Sequence, residues 1–314
     1  MIRFPSVPLL IVYAIVVVSF SLAGCSTSGN KERVSKNSEW QRLMMAGHES
    51  FKRSRLDKAV HYYQKALSRA RVTDNSSAIG DAAYNLAACY ARLGNYDSAK
   101  NLLKEAREAI SKSQGNLTEV ILVEAKVARL QENYDESWSL TDQLLTHLSS
   151  YPSDELHLQV YVLRGHIACD QGNVDLADIE FGKGRNYSQN VSSPLLLAGY
   201  SGLAGRIYLR KDRSEMAAKE FDRETGLLKE AEQFREMVFS LENAAEAYKK
   251  SGGHSLAADR FIRAARSAFA QGEKEYAREL GKKSLSSAKA ANDQPAFSRA
   301  QRFLAEVEAS PDIR

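Results

Sequence analysis

Gly94-Asn95-Tyr96-Asp97-Ser98-Ala99 is one copy of a hexapeptide that returns along the chain. Further copies are Ser54-Arg55-Leu56-Asp57-Lys58-Ala59, Glu132-Asn133-Tyr134-Asp135-Glu136-Ser137 and Gly172-Asn173-Val174-Asp175-Leu176-Ala177, with weaker ones opening at Asp212 and Gly252. Their starts at 54, 94, 132, 172, 212 and 252 are spaced by 40, 38, 40, 40 and 40 residues. A fixed period of this length marks a chain of stacked units, none of which buries its apolar face alone.

Around each hexapeptide the pattern is helical. After Gly94, the residues Tyr96, Ala99, Leu102, Leu103, Ala106, Ala109 and Ile110 recur at steps of three and four, one stripe of an amphipathic helix. Asp97 falls in its first turn, where a carboxylate suits the positive end of the helix dipole. The preceding segment, from Ala82 to Ala91, is apolar on more than one side and must lie between neighbours. Each unit therefore reads as two helices joined by the hexapeptide turn.

Two positions set how closely those helices approach. Seven residues before each turn start stand Gly47, Ala87, Ala125, Gly165, Gly205 and Ala245; five residues after it stand Ala59, Ala99, Ser137, Ala177, Ala217 and Ala257. All are small, and a Leu at either position would overpack the contact by about 1–3 kcal/mol. Four residues further on, Tyr63, Leu103, Phe181, Phe221 and Phe261 are placed to fill the space beside the approach, with Thr141 the exception.

This combination, clearest in Asn85-Leu86-Ala87-Ala88-Cys89-Tyr90 with its following turn, resembles the tetratricopeptide repeat over residues 40 to about 290. The family period is about 34 residues, so roughly six extra residues lengthen the helices or the turns between repeats. HEAT and armadillo arrays have periods of about 40–47 but do not account for the hexapeptide. The resemblance implies an all-α, right-handed solenoid of six to seven helix-turn-helix repeats. The next turn-like copy, at Gly272, comes after half a period and predicts one helix where two would be expected. A last helix from Pro295 to Glu308 is expected to cap the stack, giving about fourteen helices and a solenoid over 38–309, with a disordered tail at 310–314.

The N-terminus has a different character. Arg3 is the only charge before an apolar run from Val7 to Phe20, which ends in Leu22-Ala23-Gly24-Cys25, the order of a secretory signal. A membrane-spanning helix is the alternative, but it wants about 20 apolar residues. Leu22, Ala23, Gly24 and Cys25 resemble the lipobox of bacterial lipoproteins. That implies a signal peptide over 1–24, cleavage, and acylation of Cys25 with palmitate-type chains. More than one chain is what stable anchoring requires. By the same resemblance, Ser26 in place of an Asp implies sorting to the outer membrane, facing the periplasm. Residues 25–37, rich in Ser, Gly, Asn and Lys, read as a flexible tether.

Composition narrows the function. The 43 basic and 39 acidic residues nearly balance, which gives no reason to expect nucleic acid as the partner. Gly199-Tyr200-Ser201-Gly202 is not a Gly-x-Ser-x-Gly elbow and lies in a repeat helix, where its glycines are expected to admit a neighbouring helix. No two of the six histidines stand three or four residues apart, so neither a metal nor another cofactor is expected. Cys89 and Cys169, two repeats apart, are too distant for a disulfide. No catalytic residues, and no small-molecule substrate, are assigned. The family's concave face, lined by first helices, binds peptides or helices; position transfer places Phe51, Tyr84, Arg92, Lys126, Arg129, His166, Arg206 and Arg210 there. Five of these eight are basic, and Arg forks favour carboxylates, which points to an acidic segment or C-terminal carboxylate as ligand unless the charges are merely solvated. The expected function is a non-enzymatic, membrane-anchored scaffold of the cell envelope. A structural subunit of an outer-membrane or pilus assembly machine, or a cell-wall hydrolase on a helical solenoid, are the alternatives.

Overall fold

A computed structural model describes residues 38–53 and 55–310. The expected signal peptide, lipobox, Cys25 and tether lie outside these residues, as do 311–314 of the expected tail. The described residues form fourteen α-helices and no strand, arranged as a helical repeat solenoid. Seven hairpins follow one another: α1 (Glu39–Lys52) with α2 (Leu56–Val72), α3 (Ser76–Arg92) with α4 (Tyr96–Lys112), α5 (Thr118–Leu130) with α6 (Tyr134–Ser150), α7 (Asp154–Asp170) with α8 (Val174–Ser188), α9 (Pro194–Arg210) with α10 (Ser214–Glu230), α11 (Phe234–Lys250) with α12 (His254–Ala270), and α13 (Lys274–Ala290) with α14 (Gln294–Ala309). None of these helices is long and apolar enough to cross a membrane.

The hexapeptide is a left-handed helix stop fused to a helix start. Gly94 and Gly172 adopt φ 77° and 76°, a region glycine enters without steric cost. The next residue, Asn95, Asn133 or Asn173, sends its backbone N–H back to a carbonyl of the preceding helix at 2.9 Å. Its side chain caps the following helix, accepting from the amides of Ser98, Glu136 and Leu176. Glu132, Asp212 and Glu232 hold the same left-handed conformation without glycine's freedom.

The apparent half-period at Gly272 is corrected by the structure. Helices of 17 residues joined by three-residue turns put a turn every 20 residues, so the turn between repeats resembles the turn within one. Gly272 (φ 84°) lies between the sixth and seventh hairpins, and Asn292 (φ 53°) makes the turn inside the seventh. The second helix, α14, pairs with α13 and ends the stack. The helix itself was expected over 295–308, but its pairing with α13 was not, because Leu285 and Phe297 occupy the two registers where small residues stand elsewhere. The residues beyond the family's usual period lengthen the helices, since the turns within repeats remain three residues long.

The small-residue seam carries the packing. All six residues five beyond the turn starts, Ala59 to Ala257, are fully buried. A Cβ on Gly47 would lie 2.6 Å from the Tyr63 ring, and one on Gly205 would lie 2.6 Å from the Phe221 ring. At Gly165 the obstructing group is Leu203 of the next repeat, at 2.4 Å, rather than Phe181. Where Thr141 replaces the aromatic, its hydroxyl donates to the Trp138 carbonyl, and the Arg164 guanidinium stacks on the Trp138 ring at 4.3 Å. Gly202 admits a carboxyl of the neighbouring α10: Glu224 Oε1 would lie 2.4 Å from its Cβ. Cys89 and Cys169 are free and buried in separate apolar clusters.

Candidate functional site

The inner face is built from the first helices of successive hairpins, and their charged side chains meet each other there. Asp170, the last residue of α7, accepts from Arg129 Nε of α5 at 2.8 Å and from Arg206 Nη2 of α9 at 2.7 Å. Arg129 is 8% exposed and the Asp170 side chain 17%. Arg206 Nη1 also contacts His166 Nδ1 at 2.7 Å. A guanidinium only donates, so Nδ1 must accept and His166 is neutral, with its proton on Nε2. Burial holds the His166 pKa well below its ordinary value, and the Arg206 and Arg129 charges push it the same way. Burial also lowers Arg129 to about 10, against the opposing pull of Asp170.

A second group lies one helix earlier. Lys126, one turn before Arg129 on α5, is pushed down to about 8 by burial, with Glu119 opposing. Its ammonium lies 3.5 Å from Gln159 Oε1 on α7. Burial raises Glu119 and the Tyr84 hydroxyl, the latter also feeling the Glu119 charge.

The third group spans the array. Arg92, in the last turn of α3, donates to Glu236 in the first turn of α11, 144 residues away and past three intervening first helices. Their side chains are 12% and 6% exposed. The Arg92 guanidinium sits over the Phe51 ring of α1, 5.0 Å from its centroid. Glu236 Oε2 is buried with no hydrogen-bond partner.

Of the eight residues that the sequence places on the groove, Arg129, His166 and Arg206 form one network, and Arg92 and Phe51 another. Tyr84 and Lys126 belong to the Glu119 group. Arg210, one turn beyond Arg206, is exposed. The five basic residues are thus not a uniform positive surface: Asp170 faces two of them, and Glu236 and Glu119 face one each. Sequence reasoning missed these acids. Asp170 had a readable signal, since it stands two residues before its turn start, where Arg92, Arg210 and Lys250 stand in other repeats. Glu236 had none, because its partner is four hairpins away.

Residues 42–112 match the tetratricopeptide repeat family, covering most of α1 through the end of α4. These residues carry tetratricopeptide repeats. No curated protein sequence matches it significantly. Among solved structures, a Rap protein in complex with Competence and Sporulation Factor superposes with a TM-score of 0.63 at 14% identity, over 87% of this chain and 76% of that one. BtubC from P. vanneervenii gives 0.50 at 14% identity, over 74% and 92%. A tetratricopeptide repeat protein from Parabacteroides merdae gives 0.44 at 15% identity, over 86% and 98%. At these identities the likeness is one of fold. Tetratricopeptide arrays are the fold of protein-interaction scaffolds, and the tetratricopeptide-repeat reading of this chain stands on the repeat seam, the turn geometry and the family match together.

Proposed function

We propose that this tetratricopeptide-repeat protein is a non-enzymatic scaffold tethered by lipid to the outer membrane, recruiting partner proteins on the periplasmic side through its inner face. The observation that carries the scaffold reading is the convergence of α3, α5, α7, α9 and α11 on an interior lined with charged groups and framed by a rigid small-residue seam. A surface of that kind recognises extended or helical segments by complementary charge. The Rap structure, which holds Competence and Sporulation Factor, supports reading the same fold here as a receptor for a polypeptide.

The anchoring rests on the sequence alone. Leu22-Ala23-Gly24 before Cys25, at the end of an apolar run, supports acylation, and Ser26 supports outer-membrane sorting. Cys25→Ser is expected to abolish incorporation of a clickable palmitate analogue and to release the chain from the membrane fraction. Retention of label by that variant would end the lipoprotein reading.

For the scaffold, in-envelope crosslinking followed by capture of the tethered protein is expected to recover a defined partner that Arg210→Glu weakens. Arg210 is the residue to reverse because it is exposed, whereas reversing Arg206 would set an acid beside Asp170. Hydrolysis of cell wall by the purified chain would overturn the non-enzymatic reading.

A further inference from the structure

The Arg92–Glu236 pair has features that a structural ion pair does not need. It joins helix ends 144 residues apart, separated by three intervening first helices, whereas the Arg129–Asp170 and Lys283–Glu242 bonds each span 41 residues. Arg92 is positioned twice, by the Phe51 ring beneath it and by a carboxylate in front of it. Yet the carboxylate is only half used, because Glu236 Oε2 is buried without a donor. Taking an ion pair out of water repays its cost only when the remaining lone pairs are satisfied. Here one is not, so this contact gains little from being closed.

We infer that Arg92, stacked on Phe51, is a carboxylate-binding site that the chain's own Glu236 fills in the absence of a partner, and that the ligand is an acidic polypeptide segment which displaces Glu236. The inference rests on the reading of the inner face as a partner-binding surface and names the class of group that enters it. A carboxylate from a partner can approach the guanidinium along its edge and accept two parallel N–H bonds, a geometry stronger than the single one Glu236 takes. Displaced, Glu236 returns to water and recovers the hydration its Oε2 lacks. The site then works by exchange. The internal acid keeps Arg92 from unspecific anions, and its release unlinks α3 from α11 so that the inner face opens to a longer segment. An internal competitor lowers apparent affinity by the fraction of molecules in which it is already displaced, about tenfold if the open form is about a tenth of the population.

The test uses the full-length chain in detergent micelles and a fluorescein-labelled peptide of alternating Glu and Asp with a free C-terminus; its amidated Gln/Asn counterpart is the control. Glu236→Gln preserves shape and removes the internal carboxylate, so it is expected to tighten binding of the acidic peptide about tenfold. Arg92→Gln is expected to abolish that binding, and the control peptide should bind neither form. Closure is read separately by spin labels at Leu93→Cys and Phe234→Cys, two exposed positions beside the pair. The label separation should lengthen in Glu236→Gln and with saturating acidic peptide. It should return to the parent value in the exchanged variant Arg92→Glu with Glu236→Arg, which also guards against a misfolded single variant.

Unchanged affinity and unchanged label separation in Glu236→Gln would overturn the inference, as would acidic-peptide binding by Arg92→Gln equal to the parent. If no form binds the acidic peptide, the carboxylate site is refuted. Recovery of a crosslinked partner from the envelope would then still uphold the scaffold reading, so the two failures are told apart.

Discussion

Along the seams, hairpin after hairpin puts the same kind of atom in the same place; along the inner face, the group at one register changes between hairpins, Arg92 in the second giving way to Asp170 in the fourth. Gly47 against Tyr63 and Gly205 against Phe221 are one contact made twice, four repeats apart. By contrast, the inner positions six residues before the turn starts hold Lys126, His166 and Arg206, and each meets a different partner. Packing repeats because every hairpin must solve the same geometric problem. Recognition does not, because each hairpin addresses a different part of whatever lies along the interior.

The sharpest way to break this contrast is at Asp170. Removing it strands Arg129 and leaves Arg206 with only His166, a neutral acceptor. Since stranding a buried charge costs about 3–5 kcal/mol, Asp170→Ala should lower chemical stability by that order. A loss under about 1 kcal/mol would mean that water already reaches these groups and that the network is a surface feature. Next in size is the seam. Gly205→Leu and Gly47→Leu should each cost about 1–3 kcal/mol in denaturant titrations. Similar losses at the two sites would confirm that one contact is being repeated, whereas a loss at only one would make the seam as individual as the inner face.

Smaller still is the cap. Asn95→Ala should cost about 1 kcal/mol because its carbonyl oxygen caps α4, while Arg213→Ala at the equivalent position of α10, which makes no side-chain cap bond, should be close to neutral. A further contrast is a slope with pH. Burial pushes the Glu224 carboxyl up from 4.5 to about 7, partly opposed by the Ser240 hydroxyl that donates to it. A folded-state value above the unfolded one means that the native state holds the proton more tightly. The contribution is therefore complete below about 4.5 and is lost as pH rises through about 7. Thermal scans across that window should show stability falling as pH increases, and Glu224→Gln should remove the fall. A flat profile in the parent would show the carboxyl to be hydrated.

The repeat was readable because a left-handed turn and a close helix approach each demand specific residues: glycine or a small polar residue in one, glycine or alanine in the other. Where those demands relax, reading failed. The seventh hairpin has Leu285 and Phe297 in the small-residue registers and Asn292 in the turn, so its second helix read as a cap and not as the hairpin partner of α13. At Gly165 the seam contact passes to Leu203 of the following repeat, which no pattern within one repeat encodes. On the inner face the basic residues were foreseeable from register, but the acids that meet them were not. Asp170 is the one acid in a column that otherwise holds Lys52, Arg92, Leu130, Arg210 and Lys250, and Glu236 is paired through the coiling of the whole array, which a local period does not contain.

Solenoids ordinarily tolerate insertion or deletion of a whole unit, because each unit touches only those beside it. A bond from Arg92 to Glu236 removes that freedom. One hairpin more or fewer between them would carry the two helix ends past each other, so this chain keeps a tally of its own length, and variants with a unit spliced in between should fold yet lose the bridge.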